Sequence, residues 1–303
     1  MTTPTIPVSR KKLWLAAIKP PMYSVAVIPI GVGSAVAFAE TGIFDWSIFI
    51  MFITAAILIV AWVNLSNDVF DSETGIDVNK HHSVVNLTGN KNLVFWVANA
   101  LLAIAALELI LIAWWQHDPM ILELVALAVF LGYTYQGPPF RLGYLGLGEI
   151  ICFITFGPLA VCAAYYSQNP AWSTANLKAS IIIGITTSII LLCSHFHQVE
   201  DDIAAGKRSP IVRIGTKKGA QLLLAACIAV FAAIARFIIE GHFPQWTALS
   251  FLSIPVAVQL CHHVLTYHDQ PEQVKNCKFI AVNFHFLSGL LLGLGFIWGQ
   301  SAL

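Results

Sequence analysis

Long apolar runs recur from one end of the chain to the other, separated by short polar stretches. Hydrocarbon about 30 Å thick is crossed by roughly 20 apolar residues in helical form, and a helix satisfies its own backbone while it does so. Nine runs meet that measure: 22–39, 46–66, 93–115, 119–135, 148–167, 178–194, 220–239, 246–266 and 279–299. The pattern therefore predicts an all-α integral membrane protein with nine transmembrane helices in a single domain, residues 1–303. Arg10, Lys11 and Lys12 precede an apolar stretch, but Lys19, Pro20 and Pro21 interrupt it and no small-residue cleavage site follows, so no removable signal peptide is expected.

Composition agrees with the membrane class, since 57% of residues are hydrophobic and only 11% charged. The zero net charge conceals a polarised molecule. Of the 16 Lys and Arg residues, 14 fall before the first run or after the second, fourth, sixth and eighth; only Lys178 and Arg236 fall elsewhere. That bias predicts a cytoplasmic N-terminus and a C-terminus on the opposite side. The six cysteines lie mostly within the runs and show no C-x-x-C spacing, so they read as small packing residues rather than as disulfides or a zinc site. Gly289–Gly293 and Gly295–Gly299 have G-x-x-x-G spacing, which suits close helix packing within the chain.

Two acidic segments stand out, both on the basic side. The first, NDVFDSETGID at 67–77, follows the second run; the other, SHFHQVEDDIAAGKRSPIVRIG at 194–215, follows the sixth. Asn64, Asn67, Asp68 and Asp71 are spaced by helical steps, as are Ser194, Gln198, Asp201 and Asp202, so each set would share a helix face if the helix outlasts its apolar part. Facing each other, the two stripes would form an acidic chamber at the cytoplasmic mouth of the bundle. A carboxylate inside a membrane helix costs about 2.5–3.5 kcal/mol on insertion scales, so clustered ones should line water or hold a cation. Carboxylates with amide oxygens favour a hard ion, Mg²⁺, which keeps waters and bridges to phosphates. His195 and His197 are two positions apart and would point different ways on a helix, so neither is expected to bind metal.

Bases accompany the acids: Lys80, Lys91, Arg141, Lys207, Arg208 and Arg213. Acids holding metal beside fixed cations match a diphosphate site, whereas Lys11, Lys217, Lys218, Lys275 and Lys278 read as enforcing topology. The loop at 133–149 offers Tyr133 and Tyr135 to the chamber and Arg141 to phosphate; its other reading is a tight interfacial turn. A cation-coupled transporter is the competing class, disfavoured because the polar groups sit on one side rather than at the midplane.

At these residues the chain resembles the UbiA superfamily of membrane aromatic prenyltransferases. The resemblance implies nine helices around a central cavity, with N-D-x-x-D after helix 2 and D-x-x-x-D after helix 6 holding Mg²⁺ against an isoprenoid diphosphate. NDVFD at 67–71 fits the first motif, and GKRSPIVRIG at 206–215 fits the segment after the second. The D-x-x-x-D positions fall on Gln198 and Asp202, so one carboxylate is an amide here. Either Asp201 substitutes or Gln198 supplies a neutral oxygen; Gln198 is preferred because it shares the stripe of Ser194 and Asp202. The implied metal ligands are Asn67, Asp68, Asp71, Gln198, Asp201 and Asp202, with Asn67, Asp68, Asp71 and Asp202 as the catalytic set. Candidate substrate-binding residues are Asn64, Asp77, Lys80, Tyr133, Tyr135, Arg141, Gln198, Lys207 and Arg208. Asp77, set off by Gly75, looks like the branch that acts on 1,4-dihydroxy-2-naphthoate in menaquinone and phylloquinone synthesis, and SHFHQVEDD looks like its photosynthetic version, with phytyl diphosphate as donor. Transfer would occur at the carboxyl-bearing carbon with loss of CO₂ and diphosphate, in an inner or thylakoid membrane and without nucleic acid. The same chemistry on homogentisate or chlorophyllide is the alternative.

Overall fold

A computed structural model describes residues 14–15, 17–18, 20–74 and 83–300. The regular structure of these residues is helical: α1 (Pro20–Thr41), α2 (Trp46–Glu73), α3 (Lys91–Gln116), α4 (Met120–Gln136), α5 (Gly148–Gln168), α6 (Thr174–His195), α7 (Thr216–Ile239), α8 (Gln245–Tyr267) and α9 (Pro271–Gln300). Three short helices, Val84–Thr88, Val199–Ala204 and Pro210–Ile214, lie in the connections after α2 and α6. Among the described residues eight helices are long and apolar enough to cross a membrane, and the fourth apolar run, 119–135, forms the 17-residue α4. At 1.5 Å per residue α4 reaches about 26 Å, just short of the hydrocarbon thickness.

Burial separates an inner set from an outer one. The apolar windows of α1, α5 and α6 are each 61% buried, against 22% for α3 and α7, which turn large apolar side chains such as Trp96, Leu107 and Ile228 outward. Helices apolar on their outer faces suit hydrocarbon rather than water as solvent. Inside, α9 lies close against α1 and the start of α8. A Cβ on Gly289 would collide with Ile28, on Gly295 with the backbone of Trp246 and Thr247, and on Gly299 with Pro244. Both G-x-x-x-G pairs are therefore spent on packing within the chain. The cysteines pack as expected: Cys162, Cys193, Cys227, Cys261 and Cys277 are buried, and Cys152 faces the central cavity.

Lys178 and Arg236, the two cations outside the basic side, converge on one carboxylate. Lys178 Nζ is 3.0 Å from Glu240 Oε2, and Arg236 Nε is 2.6 Å from Glu240 Oε1.

The two acidic segments leave their helices differently. α2 continues beyond its apolar run to Glu73, so Asn64, Asn67, Asp68 and Asp71 ride one continuous helix, as the spacing predicted. α6 instead stops at His195; Phe196, His197 and Gln198 form a turn, and Val199–Ala204 starts anew. The expected helical stripe through Ser194, Gln198 and Asp202 does not form. A straight helix would carry Asp202 about 10 Å beyond His195, whereas the turn, with Phe196 buried as its anchor, brings the carboxylate back to the imidazole.

Candidate active site

A cavity of about 250 Å³ runs between α1, α2, α4, α5 and α6, with one residue of α9. Its walls are mainly apolar, among them Ile30, Phe52, Ile59, Phe156 and Ile190, and its polar residues include Asn64, Asn67, Tyr135, Ser194 and Lys278. Midway along α5 the backbone widens into a π-turn over Thr155–Leu159, which contains Pro158. Proline has no N–H to donate, so the regular ladder cannot close there, and the loosened turn places Thr155, Phe156 and Leu159 on the cavity wall.

Two neutral donors help to anchor the first acidic segment. Asp68 is 3% exposed, and its Oδ2 accepts from the Val84 N–H at 2.8 Å, which ties the Val84–Thr88 helix to the end of α2. Asp71 is 9% exposed, and its Oδ1 accepts from Gln136 Nε2 at 2.8 Å. Glu73, further out, pairs with Lys91 at 3.1 Å and stands 3.9 Å from Arg141. Arg141 has left-handed backbone, φ 44°, in the α4–α5 loop, which turns it toward Glu73.

The second segment is a buried charge cluster. Asp202 Oδ2 lies 3.1 Å from His195 Nδ1 and Asp202 Oδ1 lies 3.3 Å from Lys207 Nζ, while Glu149 Oε1 stands 3.5 Å from His195 Nε2. Asp202 is 1%, His195 2% and Lys207 6% exposed, so these polar groups have exchanged water for one another. Burial opposes ionisation of Asp202, but the His195 hydrogen bond and the Lys207 ammonium outweigh it and hold the carboxyl below its usual range. His197 responds in the opposite sense: burial, and then the positive charge of Lys278, push its imidazole down to about 4, so it is neutral at pH 7.

Tyr135 joins the two segments. It lines the cavity within Coulombic reach of Glu149, Asp71 and Asp202, and the next residue, Gln136, holds Asp71. The two acidic segments thus converge around the end of α4.

Asn64, Asn67 and Tyr135 line the cavity, whereas Asp68, Asp71, Asp202 and Lys207 are buried outside its lining. Gln198 is half-buried at the start of Val199–Ala204, and its carbonyl accepts from the Asp202 N–H at 2.8 Å. Asp201 and Arg208 point outward as exposed side chains. Tyr133 lies outside the cavity lining: its hydroxyl donates to the Pro138 carbonyl at 2.7 Å and its ring packs edge-on against Phe70. Asp77 and Lys80 lie outside the described residues. Sequence reasoning passed over Gln136 and Glu149, set His195 aside as a metal ligand, and read Lys278 as enforcing topology. Gln136 and Glu149 bracket a loop already singled out, and an acid at the mouth of an apolar helix is a signal that could have been read for Glu149.

Among the described residues, no three His, Cys, Asp or Glu side chains close into a metal cage. The oxygens are spread over both segments, and Gln136 Oε1 and Glu149 Oε2 are buried without a hydrogen-bond partner. An open, oxygen-only donor set fits a hard divalent ion that completes its shell from water and phosphate, and not a closed structural site.

Comparison with known proteins follows this geometry. The profile of the UbiA prenyltransferase family matches residues 26–290. The chain belongs to the UbiA prenyltransferase family. It is 60% identical to a 2-carboxy-1,4-naphthoquinone phytyltransferase of Synechocystis, over 97% of this chain and 95% of that one. It is 39% identical to the chloroplastic 2-carboxy-1,4-naphthoquinone phytyltransferase of Arabidopsis thaliana, over 96% of this chain and 78% of that one. A UbiA homologue from Archaeoglobus fulgidus, solved bound to DMAPP and Mg²⁺, shares the fold with a TM-score of 0.59 at 14% identity, over 92% of this chain and 98% of that one. The UbiA fold accordingly extends over nearly the whole chain, and the N-D-x-x-D segment lies where α2 passes the cavity.

Proposed function

We propose that this chain transfers a phytyl group from phytyl diphosphate to 1,4-dihydroxy-2-naphthoate, releasing CO₂ and diphosphate, in phylloquinone or menaquinone synthesis. The observation that carries this reading is the meeting of both acidic segments around Tyr135 at an apolar cavity. The charged part of an isoprenoid diphosphate needs the first feature and its tail needs the second. Likeness to two phytyltransferases supports phytyl as the donor.

Asp68, Asp71 and Asn67 on one side, and Asp202 with the Gln198 oxygen on the other, would hold Mg²⁺. When bound, the metal neutralises negative charge on the diphosphate oxygens. The protein's own groups do the rest. Lys207, fixed against Asp202, adds a permanent positive charge beside the leaving group, and Tyr135 offers an aromatic face to the allylic cation left behind. The apolar walls exclude water that would otherwise capture that cation. The hydroxyls of the acceptor make its ring carbon nucleophilic. The C–C bond forms at the carboxyl-bearing carbon, the C–CO₂ bond breaks, and its electron pair restores the aromatic ring. No ring proton has to be removed, so the step needs no general base.

We further propose that α4 crosses the membrane as the ninth span and that the N-terminus is cytoplasmic, as the partition of basic residues indicates. The test is incubation of the purified protein with dihydroxynaphthoate, a panel of isoprenoid diphosphates and Mg²⁺, with mass analysis of the products. A phytylated, carboxyl-free naphthoquinol or quinone supports the reading. Product from homogentisate or chlorophyllide alone overturns the acceptor assignment.

A further inference from the structure

The central cavity is blind at one end. Asn64 and Tyr135 line it beside the acidic segments, whereas Ile30, Phe52, Val125 and Ala160 are the residues of α1, α2, α4 and α5 that line it furthest from them. Beyond these the bundle is filled. Ile30 and Phe52, each 2% exposed, also belong to a packed cluster with Ile48, Ile121, Ala163 and Tyr166. Tyr166 is held in place by its hydroxyl, which donates to Asp118 at 2.6 Å. One turn past Ile30, α1 and α5 meet backbone to backbone: a Cβ on Gly33 would strike the Val161 carbonyl and the Tyr165 N–H nitrogen. Past Phe52, by contrast, the cavity is stopped by side chains, with Ile48 one turn behind the ring on α2.

Helix rise gives the depth. From Asn64 to Phe52 α2 advances about 18 Å, and from Gly148 to Ala160 α5 advances about the same. An extended isoprenoid chain of four units spans roughly 19 Å, at about 1.25 Å per bond between staggered carbons, and each further unit adds about 5 Å. A chain that begins beside Asn64 and Tyr135 therefore meets the Phe52 ring as its fourth unit ends.

We infer that Phe52 is the floor of the tail pocket and sets the longest isoprenoid donor the site accepts, at four units. This rests on the function proposed above and assigns its donor length to one side chain. A fifth unit would have to displace a packed ring, and overfilling a close-packed interior is costly.

The test is competition in vesicles of the full-length protein, with dihydroxynaphthoate, Mg²⁺ and equimolar polyprenyl diphosphates of three, four, five and nine units, the products being counted by mass. Wild type should prefer four units over five or nine by at least about 10-fold, the scale of discrimination by apolar fit. Phe52→Ala opens the space toward Ile48, about 6 Å along α2, and should raise the five-to-four product ratio by about 10-fold or more. Ala56→Phe, one turn nearer the acidic segments on the cavity wall, should move the preference down to three units. Ile50→Ala, on the outer face of α2, should keep the wild-type ratios. The ratios separate a ruler from a merely structural residue, because loss of folded protein lowers all products alike. If Phe52→Ala does not fold, Phe52→Leu, with a smaller shift in the same direction, and Ala56→Phe decide. Wild type that takes nine units as readily as four, or ratios unmoved in the folded variants, overturns the assignment to Phe52. Absence of product from wild type with dihydroxynaphthoate and every donor, phytyl diphosphate included, overturns the proposed function instead.

Discussion

Lys207→Met removes the ammonium from Asp202 and keeps an unbranched apolar stem of similar length. At 3.3 Å and an effective dielectric of about 20, the two charges attract by about 5 kcal/mol, and desolvation of the ammonium offsets part of that. Removing one partner of a buried ion pair costs about 3–5 kcal/mol, because the other charge is left behind. Here His195 remains 3.1 Å from Asp202 Oδ2, so the lower end applies, about 3 kcal/mol. Acting on the barrier, that loss is roughly 10²-fold in rate. The assay pairs the initial rate of phytyl transfer at saturating Mg²⁺ with the melting temperature in the same detergent. Rate should fall by about two decades, and melting should fall too, because Asp202 ties the Val199–Ala204 helix to the end of α6. A variant with rate and melting both near wild type would refute the claim that this buried pair shapes the diphosphate site.

Asp71→Asn and Asp202→Asn should each lower turnover by at least ~10²-fold, and chelator should abolish wild-type activity until Mg²⁺ is restored; full activity of both variants in chelator would remove the metal from the account. Gln198→Asp should tighten the Mg²⁺ requirement by restoring an anion, while Asp201→Asn, altering an exposed side chain, should leave it nearly unchanged; a Mg²⁺ titration of the two reads this directly, and a large loss confined to Asp201→Asn would reverse the assignment. Because the Asp202 carboxyl is held below its usual range, its contribution to stability is present above the ordinary carboxylate pKa and is lost as pH falls through the lowered value. In metal-free melting, His195→Phe should therefore move the acid-side loss of stability to higher pH, and an unmoved acid limb would contradict the His195–Asp202 link. A cysteine at Ser72 on a thiol-free background should react with an impermeant reagent from the cytoplasmic face, and labelling from outside would reverse the orientation.

What the sequence revealed depended on whether a helix continued. Apolar length alone located every long helix, because hydrocarbon thickness sets a measure that can be counted along the chain. Helical spacing placed Asn64, Asn67, Asp68 and Asp71 correctly because α2 runs on past its apolar part. The same argument failed at Gln198 and Asp202, where a turn at Phe196–Gln198 replaces the helix, and spacing carries no signal of a buried aromatic anchor. His195 was set aside as a metal ligand, a reading the structure leaves untouched, yet its role against Asp202 depends on that turn. Gln136, Glu149 and Lys278 come to the site from α4, α5 and α9, and no local pattern ties those residues to either motif. Tyr133 and Tyr135, two residues apart on one helix, point differently, and only the second reaches the cavity.

The central claim is a transfer in which one C–C bond forms as one carboxyl leaves, and isotopic stoichiometry tests it most directly. Dihydroxynaphthoate labelled in the carboxyl carbon is supplied to the purified protein with phytyl diphosphate and Mg²⁺, and labelled CO₂, diphosphate and phytylated product are counted together. Equal amounts of all three, with an unlabelled product, are the expected result. A phytylated product that keeps the label, or diphosphate released without either partner, would contradict the account.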